Sequence, residues 1–168
     1  MPSIINASNS TGLTLTSDLS GTLQFQNNGV NLPMSGVAPA FSARSNATQT
    51  IASGTFVKID LAVENFDTNN NFASSRFTPS VAGYYQCNWG VRCEGVTTLE
   101  SALFKNGSLL STGSVIATTT YVSTGSELVF LNGTTDYIEL FCAQYSGSSQ
   151  GITGNQNTRL SGCLVRGA

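Results

Sequence analysis

Apolar residues in this chain recur in short runs broken by Gly, Asn and Ser, and almost nowhere with the three-to-four spacing of a helix face. The runs at 52–63, 76–80, 83–93, 99–105, 126–131, 136–145 and 158–165 are predicted strands, so the fold class is all-β. Between Gly83 and Cys93 the period of two places Tyr85, Cys87, Trp89, Val91 and Cys93 on one face and Tyr84 on the other. One face fills a sandwich core and the other is available to a subunit interface. In 136–145 both parities are apolar, Tyr137, Phe141, Ala143 and Tyr145 against Ile138, Leu140 and Cys142, as expected of a strand covered on both sides. Tyr84, Tyr137, Phe141 and Tyr145 are the candidate interface residues.

Turn chemistry punctuates these runs. Asn106-Gly107 suits a tight hairpin needing positive φ, and Asn132-Gly133 predicts a second one between Leu131 and Asp136. The Asn-rich run Asp67–Asn71 and the Ser/Gly/Asn-rich run 146–157 hold too little apolar surface to order by burial and are predicted exposed loops. Such loops carry recognition or simply connect. If they bind, Asn69, Asn70, Asn71, Tyr145 and Gln150 are the candidate ligand residues, with Tyr145 stacking and the amides hydrogen-bonding.

Residues 1–37 differ from the rest. Leu13/Leu15 and Leu23/Phe25 alternate with polar residues across Ser17–Gly21, a small hairpin or two short strands too sparse in apolar groups to fold alone. With Ile4 and Ile5 these four residues are candidates for docking on another protein. Gly36 and Pro39 mark a break, which divides the chain into a docking segment, 1–37, and a main domain, 38–168.

Composition narrows the class of function. Charged residues are 10% of the chain, and seven Lys+Arg with a net charge of -2 give too little positive field for a phosphate backbone, so nucleic acid is not an expected partner. No apolar run reaches the length of a membrane span, and Met1–Asn6 has neither a basic region nor an apolar signal core. The chain is therefore expected to be soluble, made in the host cytoplasm and not membrane-inserted. The sequons at Asn6, Asn9, Asn46, Asn106 and Asn132 then follow from an Asn/Ser/Thr-rich composition. Cys87, Cys93, Cys142 and Cys163 fall in apolar strands without a CxxC and are expected to be buried free thiols.

The order of features resembles the trimeric jelly-roll family of complement component one, subunit q, and tumour necrosis factor. The matching pieces are Pro39-Ala40-Phe41-Ser42-Ala43, Phe66, Phe77-Thr78-Pro79-Ser80-Val81-Ala82-Gly83-Tyr84-Tyr85, Leu103-Phe104-Lys105-Asn106-Gly107, Leu128-Val129-Phe130-Leu131, Asp136-Tyr137-Ile138-Glu139-Leu140 and Leu160-Ser161-Gly162-Cys163-Leu164-Val165. Together they span about residues 38–166. Gly133-Thr134-Thr135-Asp136 departs from the family's usual Gly-Asp at that place. The resemblance implies a two-sheet antiparallel jelly-roll sandwich that forms a homotrimer, here with an extended N-terminal segment. Separately, Ser20–Val30 resembles leader segments of bacteriophage fibre and particle-surface proteins, which implies a virion-surface setting.

The chain contains no His, which removes Ser-His, Cys-His and His-metal arrangements. Its nine acids show no local pairing of the kind a glycosidase motif carries. Calcium is the one ion to weigh, since Asp67–Asn71 offers oxygen ligands, but with a single acid the solvated loop is the simpler reading. The expectation is a non-catalytic virion structural protein: a homotrimer decorating or cementing the capsid, or a short fibre, docked on the capsid shell or tail. The alternatives are an adhesin recognising a bacterial surface glycan and, from another class, a carboxylate-based glycan hydrolase.

Overall fold

The computed structural model describes residues 25–27, 30–32, 38–96, 98–117 and 120–168, with side chains at 38–96, 98–117 and 122–168. The chain separates into two units, 1–32 and 33–168. In the first, β1 (Phe25–Asn27) pairs antiparallel with β2 (Val30–Leu32), Phe25 opposite Leu32. The two residues between them are Asn28 and Gly29, a strong hairpin dipeptide. The other predicted docking residues, Ile4, Ile5, Leu13, Leu15 and Leu23, lie outside the described residues, as does any pairing across Ser17–Gly21.

The second unit holds β3 (Ala40–Arg44), β4 (Gln49–Ile51), β5 (Val57–Lys58), β6 (Val63–Asp67), β7 (Phe72–Ala73), β8 (Arg76–Phe77), β9 (Gly83–Glu94), β10 (Leu99–Lys105), β11 (Ser108–Ile116), β12 (Thr120–Leu131), β13 (Ile138–Gln144), β14 (Gln150–Ile152) and β15 (Arg159–Gly167). A six-stranded antiparallel sheet runs β11-β10-β13-β8-β7, with β5 also on β13. A seven-stranded sheet runs β4-β14-β9-β15-β3-β6, and β12 pairs with β9 along its whole length, from Leu131 opposite Gly83 to Thr120 opposite Glu94.

The core between the sheets is set by the period of two. On β9, Tyr85, Cys87, Trp89, Val91 and Cys93 are buried together, as their spacing predicts, and meet Leu99, Leu103, Ile138, Leu140 and Cys142 from the other sheet. Phe41 stacks on Phe77 with ring centroids 4.1 Å apart, and Phe77 meets Tyr85 edge-on at 5.5 Å. The buried Trp89 indole N–H donates to Ser101 Oγ at 3.0 Å, so the one polar atom of that ring is satisfied inside the core. Asn106 and Gly107 close the β10–β11 hairpin with φ of 52° and 77°, as that dipeptide predicts.

Five expectations are corrected. The run 52–63 is not one strand. Gly54 turns at φ 85°, and beyond it Ile59, Asp60 and Leu61 send their N–H groups to Leu140 O, Gln49 Oε1 and Ser75 Oγ, three different partners and no common ladder. The strand at 76–80 stops at Phe77, short of Pro79, which has no N–H to give. Asn132-Gly133 does not close a hairpin, because β12 and β13 belong to different sheets. Asn132 Oδ1 instead accepts the N–H groups of Thr134, Thr135 and Asp136 and wraps the crossover into a turn. The run 146–157 is not only loop: β14 forms in it because Ile152, 1% exposed, enters the core opposite Cys93. Finally, Cys163 is exposed. It lies opposite Gln86 and Ala40 on the face of β15 that points away from the core.

Candidate functional site

The outer face of the seven-stranded sheet is the surface most at odds with water. Tyr84 on β9 and Phe130 on β12 are cross-strand partners, with ring centroids 5.5 Å apart and exposures of 43% and 41%. Leu128, two residues along β12 and opposite Gln86, has the same orientation and is exposed. Phe66 on β6 and Val165 on β15 are exposed as well. Val165 is the extra residue of an irregularity in the β15–β9 register between Leu164 and Arg166. Gln86, Asn88, Ser126 and Ser161 continue the same face as a neutral polar band, with Gln86 Nε2 donating to Ser126 Oγ at 2.7 Å. At the far end Arg159 faces Arg44 across the β15–β3 ladder.

A second apolar surface lies on β11, the edge strand of the six-stranded sheet, where Leu109, Leu110 and Val115 are exposed. The two surfaces are different. That matters for assembly, because a cyclic ring needs two unlike patches that meet head to tail.

The predicted interface residues do not come together. Tyr84 stands on the seven-stranded sheet, whereas Phe141 is on the six-stranded one and is covered within the chain by Phe104, stacked at 4.0 Å, which in turn meets Phe56 at 5.6 Å. Tyr137 precedes β13 and carries the Arg76 guanidinium over its ring at 3.8 Å. Tyr145 follows β13, exposed, with its hydroxyl 3.5 Å from Glu100. Leu128, Phe130, Phe66 and Val165 are not among the sequence-predicted candidates. A signal exists for two of them: Leu128-Val129-Phe130-Leu131 is apolar in both parities, as 136–145 is.

The loop residues are placed separately too. Asp67 closes its own loop, accepting the Asn69 N–H at 3.2 Å and the Phe72 N–H at 2.6 Å, so both carboxylate oxygens are engaged by backbone. Asn71 bonds Ser80, while Asn70 is exposed at φ 53°. Gln150 sits on β14 and donates to Ser148 Oγ at 3.2 Å. Among the described residues no three His, Cys, Asp or Glu side chains converge as metal ligands.

Charge and thiol chemistry are arranged for structure. Burial pushes the Cys87 thiol up to about 12 and raises Cys93 and Cys142, so these sulfurs stay protonated and are poor nucleophiles. Bonds from Lys105 and Asn106 hold the Asp136 carboxyl below its ordinary range. Burial would raise Glu139, but the Lys58 ammonium at 2.6 Å and Arg76 Nε at 2.9 Å outweigh it and lower the carboxyl.

Among solved structures, the chain is similar to the globular domain of zebrafish complement 1qA protein, at 18% identity and TM-score 0.58, covering 77% of this chain and 99% of that one. It is also similar to Eiger TNF from S. frugiperda, at 8% identity and TM-score 0.62, over 78% and 94% of the two chains. PRD1 vertex protein P5 matches at 17% identity and TM-score 0.57, over 79% of this chain and all of that one. No protein-family model and no curated protein sequence matches. At these identities the likeness concerns the fold, and the fold is the two-sheet jelly roll that the sequence resemblance implies.

Proposed function

We propose that this chain is a non-catalytic structural protein of a virus particle, a homotrimer that decorates or cements the capsid surface or forms a short fibre. The observation that carries the assembly is the exposed Tyr84–Phe130 ladder with Leu128 and Val165 beside it. Full burial of an exposed side chain of this size is worth roughly 1.5–3 kcal/mol, and these, already about half covered, gain the remaining part of it on association. The β11 patch supplies the unlike second surface that a head-to-tail ring requires. The trimeric family that the sequence resembles supplies the number three.

The setting is supported by the leader-like run Ser20–Val30 and by the shared fold of PRD1 vertex protein P5. Residues 1–37 act as the docking segment on another virion protein, the capsid shell or the tail. The non-catalytic reading is supported by the missing His and by Asp136 and Glu139, whose carboxyls are lowered by neighbouring cations, the opposite of the raised carboxylic acid a glycosidase uses. Among the described residues no helix is long and apolar enough to cross a membrane.

Deleting residues 2–37 tests the division of labour. The truncated protein is expected to remain a soluble trimer and to lose binding to particles stripped of the native protein. Normal particle binding by the truncated protein would refute docking through that segment.

A further inference from the structure

A cavity of about 480 Å³ opens beside β7 and β8, lined by Lys58, Asn70, Asn71, Ala73, Ser74, Arg76 and Thr78. Its charge is unbalanced. Lys58 Nζ donates to Glu139 Oε1 at 2.6 Å and to Ser74 O at 2.9 Å, and Arg76 Nε donates to the same Glu139 oxygen at 2.9 Å. One carboxylate, its side chain 5% exposed, therefore serves two partly exposed cations, and no acid lines the cavity. In a chain with only seven Lys+Arg, a leftover positive charge facing a concavity is a specific feature.

The guanidinium is also held in place. Tyr137 supports it from below at 3.8 Å, and Glu139 engages Nε, while no hydrogen bond among the described residues uses its two Nη nitrogens. A fixed guanidinium presenting two parallel donors matches a carboxylate or phosphate group. Ser74 and Ser75, at φ of 52° and 58°, are the two central residues of the tight β7–β8 hairpin, which brings Ala73 and Arg76 to the cavity side by side.

Size and lining narrow the ligand. The volume lies within the range of small-molecule sites and exceeds what an inorganic anion fills. Beyond the two cations the wall combines the Asn70 and Asn71 amides and the Ser74 and Thr78 hydroxyls with apolar surface that includes Ala73, a mixture that suits a sugar, which carries hydroxyls around a C–H face. We propose that this cavity binds an anionic saccharide, with the acid group on Arg76 and Lys58 and sugar hydroxyls on Asn70, Ser74 and Thr78. The site uses neither the Tyr84–Phe130 face nor residues 1–37, so it stands or falls separately from trimerisation and docking.

Calorimetric titration of the full-length protein tests it with glucuronate, glucose 6-phosphate, glucose and inorganic phosphate. Glucuronate or glucose 6-phosphate is expected to bind saturably and glucose not to bind, and the preferred probe identifies the acid group as carboxylate or phosphate. Ala73→Asp, on the cavity wall, is the disrupting variant. Ala73 is exposed and lies opposite Arg76 across the β7–β8 pair, so the new carboxylate competes for the guanidinium without touching Glu139. It is expected to weaken binding by roughly tenfold or more, with the oligomeric state unchanged. Inorganic phosphate binding as tightly as the sugars would overturn the saccharide assignment. No heat with either anionic sugar, or full affinity in Ala73→Asp, would overturn the site.

Discussion

Tyr84 and Phe130 face each other across the β9–β12 ladder at 5.5 Å, and both rings remain about two-fifths exposed. The pair is ordered on its strand side and unfinished on its solvent side. Lys105 Nζ sits 5.9 Å from the Phe130 ring while bonding Phe130 O and Asp136, which fixes the rim of the patch. A preformed aromatic surface of this kind loses little side-chain entropy when a second copy covers it.

Cys163 reports on that cover. It lies on the same outward face, opposite Gln86, whereas Cys87, Cys93 and Cys142 are buried. In the assembled protein a thiol reagent is expected to reach Cys163 slowly, and in a Phe130→Asp variant rapidly, with the other three thiols reacting only on unfolding. Equal rates for Cys163 in the two proteins would argue that this face is open to solvent in both.

Glu139 makes stability depend on acid. Its carboxyl lies below the ordinary 4.5 in the folded chain because the Lys58 and Arg76 bonds outweigh burial. The unfolded chain then binds more protons in this window, so stability rises with pH. The contribution is complete above the unfolded value and is lost as pH falls from 4.5 through the lower folded value. Glu139→Gln should be less stable at neutral pH and show a flatter dependence below 4.5, where Asp136 still contributes. Denaturant unfolding across that range, at fixed protein concentration, measures the slope.

Gly125 is a steric requirement. A Cβ at this position on β12 would collide with the Trp89 indole that fills the core and bonds Ser101. Gly125→Ala is expected to cost about 1–3 kcal/mol by overpacking, read from chemical denaturation. An unchanged midpoint would mean that the indole has room to move.

The strands whose signals are local were legible from sequence. β9 and β10 end at turn residues, and β9 buries the face that its period of two assigns. The misread segments are ruled by distant partners. β14 exists because Ile152 meets Cys93 and because Gln49–Ile51 pairs beside it, which the polar composition of 146–157 conceals. Lys58, Arg76 and Glu139 stand 18 and 63 residues apart along the chain, yet they meet at one oxygen, and nothing near any of them announces the others. The association surface was half legible: Tyr84 shows in the alternation of β9, but its neighbours come from β12 and β15, and only the sheet order places them on one face.

Sedimentation equilibrium of the protein and of Phe130→Asp tests the central claim most directly. The expected result is three chains per particle for the native protein and one for the variant, with circular dichroism showing the same β content in both. A native protein that sediments as a single chain, or a variant that keeps three, would contradict assembly through the Tyr84–Phe130 face.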